Sequence, residues 1–280
     1  MKRSESFSKN FAKLIRNLDS NLEILLQKPN SKSIHDVRTS IRRVEAASDL
    51  LPKKTRSKHR FRRYNSACKR VFKSTTPIRD IDVVISKLGD YESKENVSSA
   101  LSKLRSDRDQ MISSTLQNAK LLLKIKTPRT RGNKVSESRV GKGKRKALEK
   151  VQMELDEVVP VILTDFRKMR ELHDLRKDCK IARYTLEILP VKEERGVAKL
   201  MQEWQRILGN IRDIDISEHF VEESELGDDL TELLKNLNLE RAQLLETFTR
   251  SAGTYTIRSL NFAPAANLRS KLDLKMTNEV

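Results

Sequence analysis

The amino-acid sequence predicts an all-α protein. Apolar residues recur at helical spacing along nearly the whole 280-residue chain, and glycine, which interrupts such runs, occurs only 8 times. Hydrophobic residues make up 37% of the sequence, which is enough for a packed core in one large domain or two modest ones. The fold should therefore be stable without external cross-links.

The predicted helices form two groups with the same plan, because the apolar periodicity stops and restarts at matching places. The first group comprises residues 6–28, 34–51, 56–74, 79–89 and 95–125. The second group comprises residues 145–163, 170–189, 195–208, 212–222 and 228–250. Pro77 and Gly209 lie in the gap before the fourth helix of each group.

The second helix of the first group begins with a capping signal. Ser33 followed by Asp36 fits a capping box, which places His35 in the first helical turn. One face of this helix is apolar, and the second helix of the other group repeats that face. The residues predicted to be buried are Ile34, Val37, Ile41, Val44 and Leu51 in the first copy and Leu172, Leu175, Cys179, Ala182 and Leu189 in the second.

A charged pattern repeats along the same two helices, 138 residues apart. In both copies a histidine is followed by cations three and seven residues later. At about 100° per residue, these positions lie within roughly 60° of arc on a helix. Each copy therefore carries a cationic stripe, and the simplest ligand for two such stripes is a polyanion. The stripes comprise His35, Arg38 and Arg42 in the first copy and His173, Arg176 and Lys180 in the second.

A second charged element repeats at an offset of 133 residues. The sequence Arg79-Asp80-Ile81-Asp82 reappears as Arg212-Asp213-Ile214-Asp215. An arginine flanked by aspartates at a helix start favours a structural ion pair between helices. The alternative is that Arg79 and Arg212 face a phosphate while the carboxylates hold them in place.

The net charge of +18 and the sequence pI of about 9.9 point to a negatively charged partner. Residues 1–147 hold 37 lysines and arginines against 14 acidic residues, whereas residues 148–280 hold 20 against 25. The first half should therefore supply most of the positive field.

A dense basic run lies between residues 53 and 73 of that half. It is either a solvated helix face or the wall of a charged channel, and the helical steps between its later cations favour the wall slightly. Its cations are Lys53, Lys54, Arg56, Lys58, Arg60, Arg62, Arg63, Lys69, Arg70 and Lys73. Tyr184 lies on the same side of its helix as the second cationic stripe. Its hydroxyl could donate a hydrogen bond to a phosphate, or the side chain could simply pack against its neighbours, and the sequence favours neither alternative.

Residues 126–146 are predicted to form a flexible basic linker between the halves. They contain nine lysines and arginines, one glutamate and three glycines, and they bury too little apolar surface to offset their ordering entropy. The domain boundaries are then 1–125 for the first helical half, 147–262 for the second and 263–280 for a C-terminal tail.

Other features of the sequence indicate a cytoplasmic protein. Cys68 and Cys179 are the two cysteines, and since neither belongs to a CxxC pair, reduced buried thiols are expected and a thiolate zinc site is not. The N-terminus lacks the apolar core of a signal peptide, and no run of about 18 apolar residues occurs. We expect no membrane partner and no cofactor.

The four repeated segments together resemble the signature of the CHAD proteins, named for a conserved histidine α-helical domain. The likeness in order and spacing spans about residues 6 to 260. It implies two four-helix bundles, a tandem repeat related by a pseudo-two-fold axis, with a basic channel at their junction that binds inorganic polyphosphate. Association with polyphosphate granules would follow. No Glu-x-Glu-x-Lys strand start occurs, so the resemblance is to a stand-alone member without a CYTH domain.

The resemblance also implies which residues face the polyphosphate. The matching positions are His35, Arg38, Arg42 and Arg43 in the first copy and His173, Arg176, Lys180 and Arg183 in the second. The predicted site also includes Arg62, Arg63, Lys69, Arg70, Lys73, Arg79, Lys177, Tyr184 and Arg212. Glu45 and Ile181 stand where the family usually has a cation, so each stripe lacks one expected contact.

Two other functions compete with non-catalytic polyphosphate binding. A nucleic-acid-binding protein would explain the charge equally well, but the chain has only 13 aromatic residues and no recognisable base-reading module. A metal-dependent phosphohydrolase would need clustered carboxylates and histidines, whereas the adjacent His35 and Asp36 point about 100° apart on a helix. We therefore rank nucleic-acid binding second and expect no catalytic residue and no metal site.

Overall fold

The computed structural model describes residues 7–128, 137–224 and 230–258, and over these ranges its regular structure is helical, without a strand. The helices of the first half are α1 (Phe7–Gln27), α2 (Ser31–Asp49), α3 (Lys53–Arg56), α4 (His59–Leu88) and α5 (Glu95–Leu123). Those of the second half are α6 (Glu137–Thr164), α7 (Met169–Ile188), α8 (Arg195–Glu223) and α9 (Thr231–Arg258). The predicted all-α class is confirmed.

Three apolar clusters hold the helices together. The first is formed mainly by α1, α2, α4 and α5, and the second by α6, α7, α8 and α9, including the fully buried Trp204. The third joins the halves, because Leu88 of α4 and Leu101 of α5 lie in one cluster with Ile214 of α8 and Leu233 of α9. The halves therefore share a core, and their pseudo-two-fold relation stays a prediction.

The two histidine-bearing helices follow their predicted packing. Ile34, Val37 and Ile41 of α2 are fully buried, and so are Leu175 and Cys179 of α7. Leu189, just after α7, is the one member of the predicted faces that is only partly buried. Because α2 contacts α7 while α4 contacts α8, the repeated charged segments of both halves meet at the centre of the molecule.

The predicted breaks at Pro77 and Gly209 are wrong, since α4 and α8 run through both positions. Proline removes one backbone donor from a helix. The bond that Pro77 cannot make is the one to the Lys73 carbonyl oxygen, one turn earlier. Side chains from other helices bind the neighbouring carbonyl oxygens: Thr115 on α5 donates to that of Ser74 at 3.1 Å, and Arg38 on α2 donates to that of Phe72 at 3.1 Å. Gly209 carries no comparable clash, and a glycine costs a packed helix only about 1 kcal/mol.

The start of α2 also differs from its prediction. Asn30, not Ser33, is the N-cap: its side-chain oxygen accepts from the Ser33 amide at 2.8 Å, and the Ser33 hydroxyl accepts from the Asn30 amide at 3.0 Å. This reciprocal pair is a capping box placed three residues earlier than expected. His35 is therefore one turn further inside the helix.

The predicted flexible linker is wrong for residues 137–146, which form the first turns of α6. The ammonium group of Lys144 is buried there, donates to the Leu189 carbonyl oxygen at 2.8 Å and pairs with Glu194. Burial of Val140 and of the aliphatic part of Lys144 stabilises this end of α6 against the rest of the protein. The composition of the segment did not indicate this packing. Residues 129–136 of the predicted linker and the predicted tail 263–280 lie outside the described residues.

The docking of α6 on the end of α2 gives a first testable prediction. A Cβ at Gly143 would lie 2.6 Å from the Leu50 carbonyl oxygen, so Gly143→Ala should destabilise the protein by about 1–3 kcal/mol. Gly141 has no heavy atom within 4 Å of such a Cβ, and Gly141→Ala should stabilise the helix by up to about 1 kcal/mol. Urea unfolding measures both, and equal stabilisation by the two changes would show that α6 is not packed there.

Candidate polyanion-binding site

A cavity of about 560 Å³ lies where α2, α4, α7 and α8 meet. Nine arginines and lysines contribute to its lining, against two aspartates, Asp80 and Asp213. The basic residues are Arg38, Arg42, Arg79, Arg176, Lys177, Lys180, Arg183, Arg206 and Arg212. His35 and His173 lie on the same wall, so both predicted stripes face one space.

Four of the half-buried cations in this lining have no hydrogen-bond or ion-pair partner within the described part of the chain, and Arg206, which also has none, is exposed. Arg42, Arg176, Lys180 and Arg212 make neither a hydrogen bond nor an ion pair there, and the Nε atom of Arg176 is buried without an acceptor. The Arg42 guanidinium instead stacks on Phe72, 4.7 Å from the ring centroid. Partly buried cations are costly unless an anion balances them, so this arrangement is suited to an external anion.

Arg38, the counterpart of Arg176, is held differently. Its guanidinium donates to the Phe72 carbonyl oxygen and to the hydroxyls of Thr75 and Thr76 at 3.0–3.1 Å, and it lies 4.2 Å from the centroid of the Phe72 ring. Arg38 is thus a structural tie between α2 and α4 as well as a cation on the cavity wall. The two copies of the stripe are equivalent in sequence but not in contacts.

The repeated Arg-Asp elements meet across the two halves. Arg79 on α4 pairs with Asp213 on α8 at 3.0 Å, which confirms the structural ion pair for this arginine. Arg212 makes no such pair, although its charge counteracts the rise that burial causes in the pKa of Asp80. Arg79 of the first repeat therefore forms an ion pair between the halves, whereas Arg212 of the second repeat makes no ion pair within the described residues.

Crowding of like charges changes the ionisation of the cavity. Burial first, and then the charges of Arg176, Arg42 and Arg38, lower the pKa of Lys180 to about 7. Burial and Arg42 lower the pKa of Arg38 to about 10, and the same causes lower that of Arg176. Burial is the largest cause of these shifts, and the smaller part that comes from neighbouring positive charges is repulsion that a bound anion would relieve.

The pKa values of the two histidines are shifted in the same direction as those of the cations. Burial, followed by Arg176 and Lys177, lowers the pKa of His173 to about 4, and burial with Arg79 lowers that of His35. Both imidazoles are therefore neutral at pH 7, when each has one N–H to donate.

Not every predicted site residue lines this cavity. Arg43 points to a neighbouring groove of about 550 Å³ along α1, where it pairs with Glu187 at 3.3 Å. Tyr184 is buried and borders both spaces, with Arg43 and Arg183 each within 6 Å of its ring centroid. Lys177 and Arg183 reach the cavity but have their own partners, Asp174 at 2.9 Å and Glu187 at 2.7 Å. Five predicted residues lie instead on the exposed face of α4: Arg62, Arg63, Lys69, Arg70 and Lys73.

A family model described as CHAD domain matches residues 9–222. The chain belongs to the CHAD domain family. The crystal structure of the CHAD domain from the plant Ricinus communis is similar in fold, with a TM-score of 0.57 at 14% sequence identity. That likeness covers 93% of this chain and 90% of the other. No curated protein matches the chain.

Several lining residues of this CHAD domain were missed by sequence analysis. Phe72 and Thr76 on α4 correspond to Gln205 and Gly209 on α8 at the repeat offset of 133, and all four line the cavity. Arg206 corresponds in the same way to Lys73. The repeat offset was therefore a usable signal for the first two pairs, whereas Lys73 is exposed on α4 and does not line the cavity although Arg206 does.

Three simpler findings concern the rest of the described CHAD domain. Among the described residues, no group of three or more histidine, cysteine or carboxylate side chains is arranged to hold a metal ion. None of the described helices is long and apolar enough to cross a membrane. Cys68 and Cys179 are free and buried, and burial raises the pKa of both thiols.

The depressed pKa values predict that anion binding takes up protons. Lys180 loses its proton above about pH 7 in the free protein, and a bound polyanion raises its pKa and that of the histidines. Affinity should therefore rise as the pH falls from 8.5 to 5.5, by at most about tenfold per pH unit for each proton taken up. Titration calorimetry in buffers of different ionisation enthalpy counts these protons.

Lys180→Met provides the control for this pH dependence. It should remove the proton uptake above pH 7 and leave that of the histidines at lower pH. Affinity that does not change between pH 5.5 and 8.5 would contradict the assignment of these side chains to the binding site.

Proposed function

We propose that this chain binds inorganic polyphosphate in the cavity between α2, α4, α7 and α8, without catalysing a reaction. The observation that carries the proposal is the set of half-buried cations there that make no hydrogen bond or ion pair within the described residues: Arg42, Arg176, Lys180 and Arg212. A phosphate chain offers closely spaced oxygens to each of them, and charge-assisted hydrogen bonds to phosphate are among the strongest that proteins form.

The distribution of the cations favours a chain over a single small anion. They come from three helices, α2, α7 and α8, and so from both halves of the protein. Three of the four are arginines, which can each bind two oxygens of one phosphate. A flexible polyanion can satisfy all of them in one binding event, because its second and later contacts are intramolecular.

The contacts of the acidic residues support a role in binding and not in hydrolysis. Asp213, which lines the cavity, is paired with Arg79, and the nearby charges of Arg212 and Arg38 favour the ionised form of Asp80. Carboxylates engaged with arginines are poorly placed to activate a water molecule as general bases. We infer that both act as positioning groups for the basic residues.

A competition experiment at fixed, near-physiological salt tests the proposal. Long-chain polyphosphate, RNA and duplex DNA, matched in phosphate concentration, compete for the protein against a labelled polyphosphate. We expect polyphosphate to be preferred by at least about tenfold, since a cavity of 560 Å³ admits a bare phosphate chain more easily than a duplex. Equal or tighter binding of RNA would overturn the proposal in favour of nucleic acid.

A further inference from the structure

A row of cations on α4 leads from the protein surface into the cavity. Arg62, Lys69 and Lys73 are exposed, whereas Thr76 and Arg79, further along the helix, line the cavity. At about 100° per residue, Arg62, Lys69, Lys73 and Thr76 lie within roughly 60° of arc on the helix, and Arg79 lies about 60° beyond Thr76. With a rise of about 1.5 Å per residue, the row extends over about 25 Å. The cavity is therefore continuous with a basic surface.

The composition of this helix face is unlike that of an ordinary solvated face. Residues 59–79 contain seven lysines and arginines and no aspartate or glutamate. Exposed helices usually combine both signs, because opposite charges four residues apart stabilise a helix and like charges destabilise it. Lys69 and Lys73 form such a like-charged pair, so the row carries an energetic cost that a bound polyanion would remove.

The carboxyl group of Glu45 on α2 interacts electrostatically with both the cavity and the row. Burial raises the pKa of its carboxyl group, and the charges of Arg42 and Lys69 counteract that rise. Arg42 belongs to the cavity and Lys69 to the row, so one side chain is within electrostatic reach of both. The cavity and the row are therefore close to each other from α2 to α4, as well as along the axis of α4.

We propose that the exposed row of α4, formed by Arg62, Lys69 and Lys73, binds the segment of a long polyphosphate chain that extends out of the cavity. This inference rests on the proposed function, since it assigns a second, outer site to the same ligand. Short chains occupy the cavity alone. Long chains occupy the cavity and the row together, which raises their affinity through intramolecular contacts.

The test compares tripolyphosphate with long-chain polyphosphate on two matched variants. The first replaces Arg62, Lys69 and Lys73 with glutamine. The second replaces three exposed lysines on other helices, Lys146, Lys199 and Lys235, with glutamine and so removes the same net charge. Affinities are measured by titration calorimetry at several salt concentrations. Circular dichroism confirms that both variants remain helical.

The row variant should bind long-chain polyphosphate at least about tenfold more weakly than the control variant and with a smaller salt dependence, since about three fewer counterions are displaced. Its affinity for tripolyphosphate should stay within about twofold of the control. Equal long-chain affinities for the two variants would overturn the outer site. If the proposed function itself fails, neither phosphate will bind even the unaltered protein, and the two failures are therefore distinguishable.

Discussion

Replacing Arg42 and Arg176 with glutamine should weaken polyphosphate binding by about two to four orders of magnitude. Each arginine is free to form charge-assisted hydrogen bonds, which contribute about 1.5–3 kcal/mol each, and a factor of ten corresponds to about 1.4 kcal/mol. The control is the double change of Arg145 and Lys146, both exposed on α6, to glutamine. Titration calorimetry measures both variants.

The same double change should stabilise the free protein. Arg42 and Arg176 make no ion pair in the described part of the chain, and after burial it is the charge of Arg42 that lowers the pKa of Arg176, which shows the repulsion between them. Removing them relieves that repulsion, so the thermal midpoint should rise in the absence of ligand. Arg38→Gln should lower it, because Arg38 ties α2 to the Phe72 carbonyl. A lower thermal midpoint for the double variant would mean that these arginines are structural.

Lys144→Ala should lower the free energy of unfolding by about 3 kcal/mol or more. The side chain of Lys144 is 8% exposed and that of its partner Glu194 is 19% exposed, so the change leaves a carboxylate largely buried without its cation. The Leu189 carbonyl oxygen also loses its donor. Urea unfolding monitored by circular dichroism measures the loss.

Lys146→Ala is the matched control, because Lys146 is exposed on the same helix. Its unfolding free energy should stay within about 0.5 kcal/mol of the unaltered protein. If Lys144→Ala proved as mild as Lys146→Ala, residues 137–146 would behave as the flexible linker that their composition predicts.

Much of the fold follows from the spacing of apolar residues. The burial of Ile34, Val37 and Ile41 required only helical periodicity, because a continuous apolar face must pack against something. The repeat also predicted that His35 and His173 belong to one site, and both line the same cavity. Periodicity and repetition are properties of a single sequence, and this part of the structure could be predicted.

Other features depend on contacts between distant residues. Pro77 is a local helix breaker in the sequence, but α4 runs through it, and Thr115 and Arg38 from other helices hydrogen-bond backbone carbonyls in the preceding turn. Lys144 resembles a linker lysine until Glu194, fifty residues away, pairs with it. Composition averages over a segment and cannot identify such partners, so both predictions failed where tertiary contacts decide the structure.

The candidate site shows the same limit at the level of single residues. The repeat correctly identified Arg38 and Arg176 as equivalent cations, but one is tied to α4 and the other is free. Likewise Arg79 pairs with Asp213, whereas Arg212 has no ion pair within the described residues. Two copies of one motif have thus diverged into a structural and a ligand-accessible version. A match between the two repeats therefore predicts where a residue lies, but it does not predict which groups that residue binds.

A crystal structure of the protein with bound polyphosphate tests the central claim most directly. We expect continuous density for a phosphate chain between α2, α4, α7 and α8, with phosphate oxygens within about 3 Å of the guanidinium groups of Arg42, Arg176 and Arg212. A chain bound elsewhere on the surface, with the cavity free of phosphate, would contradict the account.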